Sequence, residues 1–278
     1  MQRAWAAWTV GVWVSGLVAS GAERGVPMLI DEVTGHVSVG VAAGHVEPHP
    51  WMIDTGSSRS AINQTLAARL NLSPVARTEV VTASGSDVRA VVRLPDVTIG
   101  GVTAANLMAM VLPDDRLPGV QGLLGQDFLG RLHYTLDYRD GRLEWGRGHE
   151  ARGERLPLRA SEGRFLVDLS RDGDDLVRMV PDSGATALVL FRKAGHVAVP
   201  LVAIPGARLA LRGVAGDLMG DGVRLPLLRI GGRLLRDLPA VVLDASTDHA
   251  WPDGLLPLHL FDRVTFNAPD GYLTLDER

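Results

Sequence analysis

Asp54-Thr55-Gly56-Ser57-Ser58 is answered 128 residues further on by Asp182-Ser183-Gly184-Ala185-Thr186. A single Asp-[Thr/Ser]-Gly is an ordinary turn signal, and chance alone supplies about a quarter of a copy in a chain of this composition. The weight comes from what surrounds the two copies. Upstream, Val37, Val39 and Val41 answer Phe165, Val167 and Leu169 at the same offset. Downstream, Arg93-Leu94-Pro95 answers Arg224-Leu225-Pro226, and Ile99-Gly100-Gly101 answers Ile230-Gly231-Gly232. Gly122-Leu123-Leu124 pairs with Gly254-Leu255-Leu256, and Asp140-Gly141 with Asp270-Gly271. Six correspondences whose offset drifts only between 128 and 132 mean that one unit is written twice.

The unit is made of strands. Apolar residues alternate in Val37–Val41 and in Phe165–Leu169, the period of a half-buried strand. Asp140-Gly141 and Asp270-Gly271 each lie between apolar runs, and Asp-Gly there predicts hairpins whose two central residues both take positive φ. A helix fits only Asn63 to Leu70, with Asn63 as its cap and Leu66, Ala67 and Leu70 on one face. The equivalent stretch after Leu190 is broken by Gly195. The expectation is an all-β chain of two similar lobes with pseudo-two-fold symmetry and few short helices: 23–147 and 159–278, joined by a polar linker at 148–158.

Residues 1–22 read as an export signal. Arg3 precedes an uncharged stretch from Ala4 to Gly21, and Ser20 and Ala22 are the small residues of a cleavage site after Ala22. An uncleaved membrane anchor is the alternative, weakened by Gly11, Ser15, Gly16, Ser20 and Gly21. The expected location is therefore periplasmic or secreted.

Composition narrows the chemistry. The 278 residues carry a net charge of −4 from 28 basic and 32 acidic side chains, a balance that argues against nucleic acid as partner. The absence of cysteine excludes disulfides, thiol catalysis and thiolate metal sites. Lys193 is the only lysine, and it lies in no phosphate-binding motif. His45 and His49 are four apart, but Pro48 and Pro50 prevent the helix that would align them on a metal. Asp172-Gly173-Asp174-Asp175 lacks the frame of a calcium loop and reads as a turn. No Gly-x-Ser-x-Gly occurs. Neither metal nor organic cofactor is expected.

Two equivalent aspartates in a two-fold fold meet at the axis. Carboxyls that close cannot both ionise readily, so the pair holds one proton and contains a general base and a general acid at once. Gly56 and Gly184 allow close backbone approach and offer N–H donors. The hydroxyls of Thr55 and Ser183 are placed to bond across the axis and brace both loops.

Met52-Ile53-Asp54-Thr55-Gly56-Ser57-Ser58 resembles the catalytic loop of pepsin-like and retroviral-type aspartic proteases. Gly122-Leu123-Leu124-Gly125 is similar to the apolar-apolar-Gly segment beneath that loop. Asp182-Ser183-Gly184-Ala185 looks like the Asp-Thr/Ser-Gly-Ala form of the retroviral branch. The resemblance implies a monomeric tandem, retropepsin-like endopeptidase in which Asp54 and Asp182 are catalytic. Thr55, Gly56, Ser57, Ser183, Gly184 and Ala185 would support them, and a peptide or protein would be the substrate. Two candidate flaps follow from glycine-bearing tips, Ser84-Gly85-Ser86 and a stretch including Gly213 and Gly216. The second lobe departs from the pattern. Pro181 precedes its Asp, which predicts that this strand end is an edge or loses a ladder bond, and Pro257 stands where the first lobe has Gly125. No tyrosine lies in either flap. These departures fit the alternative, an exported peptide- or protein-binding scaffold without useful catalysis.

Overall fold

The computed structural model describes residues 17–19, 25–82, 85–147, 154–170, 176–193, 197, 201–213, 216–244 and 252–276. Strands dominate both repeats, as the alternation predicts. Val37–Ala43 alternates buried valines with more accessible residues, and Arg164–Ser170 occupies the equivalent place in the second repeat. The expected leader falls outside the described residues except for Leu17–Ala19, which lies antiparallel on Val102–Ala104.

In each lobe the repeated Asp ends a strand, and a short apolar strand runs beside it. Gly122–Leu124 is parallel to the end of Val46–Ile53 on one side and antiparallel to Ala61–Asn63 on the other. Gly254–Pro257 stands in the same way between Leu176–Asp182 and Leu188–Arg192. The chain thus leaves one neighbour of the short strand, forms the aspartate loop and returns as the other. The repeated glycine at the head of each short strand has a steric cause. A Cβ on Gly122 would overlap the Trp51 ring, and one on Gly254 would come within 2.8 Å of the Met179 methyl. Trp51 and Met179 are themselves repeat equivalents, both fully buried. Burying a side chain of this size contributes about 1.5–3 kcal/mol, which a bulkier residue at either glycine would forfeit.

The lobes share a sheet. His133–Asp137 of the first pairs antiparallel with Arg263–Asn267 of the second, and each is the first arm of one predicted hairpin. The strand order therefore runs from the second lobe's last strands directly into the first lobe. Arg155–Pro157, within the expected linker, adds to this sheet against Tyr272–Asp276. The interlobe connection is thus partly a strand, because its backbone meets an open sheet edge.

Local readings fare differently. The short helix is Gln64–Arg69, with Asn63 Oδ1 accepting from the Leu66 N–H. The hairpins at Asp140-Gly141 and Asp270-Gly271 form, but through four-residue connections in which only the glycine is left-handed, at 62° and 75°. The tighter turn is avoided because the loop before each glycine can close with ordinary φ values and pay no strain at Asp140 or Asp270. Trp251, Gly195 and Asp172–Asp175 lie outside the described residues.

Candidate active site

Each lobe delivers its aspartate at a strand end and turns sharply behind it. Asp54 is anchored by its own N–H, which donates to Leu124 O (3.0 Å). Its Oδ1 accepts the N–H groups of Gly56 (3.0 Å) and Ser57 (2.9 Å). On the other side Asp182 Oδ1 accepts the Gly184 N–H (2.8 Å). The Ala185 N–H is directed to the Asp182 main-chain oxygen instead (3.4 Å), so Asp182 has one fewer donor.

The loops are locked by a reciprocal set of four hydrogen bonds. Thr55 Oγ1 donates to Pro181 O (2.7 Å) and accepts the Ser183 N–H (3.0 Å). Ser183 Oγ donates to Ile53 O (2.7 Å) and accepts the Thr55 N–H (3.1 Å). Ile53 and Pro181 are repeat equivalents, so the two-fold axis runs through this set. Pro181 fits because the bond uses its carbonyl, which proline retains. The strand end loses ladder pairing on one side, as the proline predicts: the ladder to Arg164–Ser170 stops at Met179, while Gly254–Pro257 still pairs on the other side.

The brace draws the carboxyls together. A Cβ on Gly184 would lie 3.1 Å from Asp54 Cγ, and one on Gly56 would overlap the Asp182 carboxyl. Each loop's glycine therefore faces the opposite lobe's aspartate, which leaves no room for a side chain at Gly56 and crowds one at Gly184. Both aspartates are buried and raised above the usual carboxylate range. Burial, then the Asp182 charge, pushes Asp54 up to about 8. Burial raises Asp182 as well, against the Gly184 N–H, His36 and Arg164. The two carboxyls interact directly, so the protonation of each depends on that of the other. The site holds one proton between two acids and titrates as a pair.

The first lobe carries support that sequence reasoning passed over. Gln126 Nε2 donates to Thr55 O (2.7 Å). Ser60 donates to the half-buried Asp127 carboxyl through both its N–H and its hydroxyl (2.9 and 2.7 Å), and its hydroxyl accepts the Gly125 N–H. Gly125 packs on the Arg59 backbone, with no room for a Cβ. The second lobe places Leu258, His259 and Leu188 at the equivalents of Gln126, Asp127 and Ser60. There Pro257 stays in strand pairing opposite Asp182 and leads into a 3₁₀ turn, Leu258–Leu260, in place of the helical turn Gln126–Leu129. An apolar cavity lined by Thr186, Ala187, Leu188, Leu209, Pro257 and His259 opens on that side.

The flap candidates sit on two long hairpins. Ser84 lies outside the described residues. Gly85 and Ser86 begin Gly85–Arg93, opposite Thr82 and Val81 of Pro74–Thr82. The Gly213 N–H donates to Gly216 O (2.9 Å) at the turn between Val202–Arg212 and Asp217–Ile230. Close to the tip of each hairpin an equivalent apolar cluster packs on the short central strand. Val80 meets a cluster containing Leu123, and Leu211 one containing Leu255.

Two family models cover the halves in tandem: "gag-polyprotein putative aspartyl protease" matches residues 40–131, and "Aspartyl protease" matches residues 167–259. Each match contains one aspartate loop and the short strand associated with it. The chain is a two-lobe aspartic protease-like protein. Its fold is that of the bilobed aspartic proteinases. The crystal structure of an aspartic proteinase from Irpex lacteus superposes with a TM-score of 0.55 at 14% identity, over 91% of this chain and 96% of that one. No curated protein matches in sequence. An aspartic protease-like chain of this kind carries its two loops on one polypeptide, and here they are joined by bonds from lobe to lobe.

Proposed function

We propose that the protein is an exported aspartic endopeptidase that hydrolyses peptide bonds with a water activated between Asp54 and Asp182. The observation that carries this reading is the buried carboxyl pair, both members raised, held by the reciprocal Thr55–Ser183 brace. Such a pair takes a proton from water at its ionised oxygen while its protonated carboxyl donates to the scissile carbonyl oxygen. The gem-diol that results collapses as a proton passes to the leaving amine, and the pair returns to its starting state. No covalent intermediate is required. An extended peptide is the fitting substrate, bound by strand addition beneath the hairpins, with an apolar side chain in the cavity beside Thr186 and Leu188. Export rests on the composition of residues 1–22, and the monomeric state on the presence of both half-sites in one chain.

The test is digestion of a denatured protein mixture across pH, with cleavage sites mapped by mass spectrometry for the wild type, Asp54→Asn and Asp182→Asn. Cleavage by the wild type alone supports the reading. Equal cleavage by either variant, or none by any, sinks it, and the second result favours a peptide-binding scaffold.

A further inference from the structure

His36 and Arg164 are 128 residues apart, the spacing of the two aspartates. Each follows a glycine in the left-handed region, Gly35 at 72° and Gly163 at 77°. Each stands at the head of the strand that alternates into its own lobe, and each reaches the aspartate loop of the other. His36 Nε2 lies 2.8 Å from Gly184 O, and Arg164 Nε donates to Gly56 O (3.1 Å). Those carbonyls belong to the two glycines whose N–H groups hold the Asp182 and Asp54 carboxyls. The positions and contacts match, yet arginine is a permanent cation and histidine as a residue type is not.

A carbonyl oxygen only accepts, so Nε2 carries the hydrogen whether or not the ring is charged. A second ring proton has its place on Nδ1, so the bond to the second loop does not depend on the charge of the ring. Four groups surround His36. Asp31 is on its own turn, where its N–H donates to His36 O (2.9 Å), and Thr34 Oγ1 accepts the His36 N–H (3.3 Å). Asp182 stands across the lobe boundary, where positive charge on His36 and on Arg164 favours its ionised form. His259 packs against Gly35.

We propose that His36 is a pH-responsive positioning residue of the aspartate pair, holding the second loop at every pH and adding positive charge only on the acid side. The proposal rests on the endopeptidase reading above. A pair that works with one proton must lose its first proton in acid and keep its last toward neutral pH. A nearby cation assists the first requirement and opposes the second. Histidine changes charge between about pH 5 and 8, so it assists at one end and withdraws at the other. Arginine at the same place does only the first.

The experiment compares His36→Gln, which keeps a donor without charge, with His36→Arg, which copies the other lobe. Two readouts are taken across pH: kcat/KM on a peptide substrate, and the carbon-13 titration of labelled aspartate carboxyls. His36→Gln is expected to move the acid limb of both curves upward by about half a pH unit or more and leave the alkaline limb in place. His36→Arg is expected to leave the acid limb and move the alkaline limb downward by a similar amount. Wild-type limbs in both variants, or limbs that shift together, would reduce His36 to a structural contact and overturn the proposal. If the protein cleaves no peptide, the carboxyl titrations still test the electrostatic coupling, so failure of the endopeptidase reading is seen separately.

Discussion

Thr135 and Thr265 face one another across the pseudo-two-fold axis, their hydroxyl oxygens 3.0 Å apart in the ladder that joins the lobes. The register is symmetric about this pair, with His133 opposite Asn267 and Asp137 opposite Arg263. Both threonines are buried, so a hydroxyl left alone there loses its partner and finds no water. Thr135→Val and Thr265→Val should each cost about 1–2 kcal/mol, while the double variant costs less than the sum of the two. Urea denaturation of all four proteins completes the cycle. Additive losses would mean that the hydroxyls do not depend on each other.

The aspartate pair makes stability depend on pH in a definite sense. An unfolded aspartate titrates near pH 3.9, and burial pushes Asp54 up to about 8. Between those values the folded state binds more protons than the unfolded one, so stability falls as pH rises from about 4 to about 8. Asp54→Asn removes the titrating group. Its melting temperature should decline less over that range, and at pH 8 it should exceed that of the wild type. A wild-type profile that rises across the same range would show that Asp54 does not hold a proton in the fold.

The Thr55 hydroxyl serves two partners, and its removal strands both. In Thr55→Val the Ser183 N–H and Pro181 O lose their bond across the axis at a site that is almost completely buried. A loss of about 2 kcal/mol or more is expected, with Thr55→Ser close to wild type because the hydroxyl remains. Peptide cleavage should fall further than stability, since displacing a reacting group by about 1 Å can lower a rate roughly a hundredfold. Equal stability of the Val and Ser variants would remove the brace from the account.

The duplication made much of this legible. Asp54, Asp182 and the two hydroxyl residues are neighbours in sequence, and the register of the repeats implied an axis on which they meet. Asn63 capped its helix because capping is a local property. His36 and Arg164 carry the same signal of spacing, but a histidine and an arginine are different residue types and do not mark themselves as equivalents. The first lobe's Ser60–Asp127 contact had no such signal, since the second lobe has Leu188 and His259 in its place. The shared sheet was also hidden. Alternation marks Arg263–Asn267 as a strand and says nothing about a partner in the other lobe, because pairing over such distances is set by the whole fold.

The second hairpin is latched to the first lobe at one point. Arg116, in the 3₁₀ turn Asp114–Arg116, donates through Nη1 to Asp217 Oδ1 (2.8 Å) and to Gly213 O (3.4 Å). Asp217 is mostly exposed, so water screens the pair and its loss should change global stability by less than about 0.5 kcal/mol. Its position gives it a larger local effect. It is a contact between lobes at the turn of a hairpin that leaves Leu209 partly exposed on one face and Met219 on the other. Hairpins with few buried contacts open well below the global unfolding free energy. Arg116→Gln should therefore speed amide exchange in residues 209–213 and 216–220 by about threefold or more. The interlobe ladder at 133–137 should be unchanged. High salt should produce the same acceleration in the wild type and little further in the variant, because it screens the same charges. Exchange that is unaffected by both would show that the hairpin is held by its apolar contacts next to the tip, where Leu211 and Leu218 pack, and not by the ionic latch.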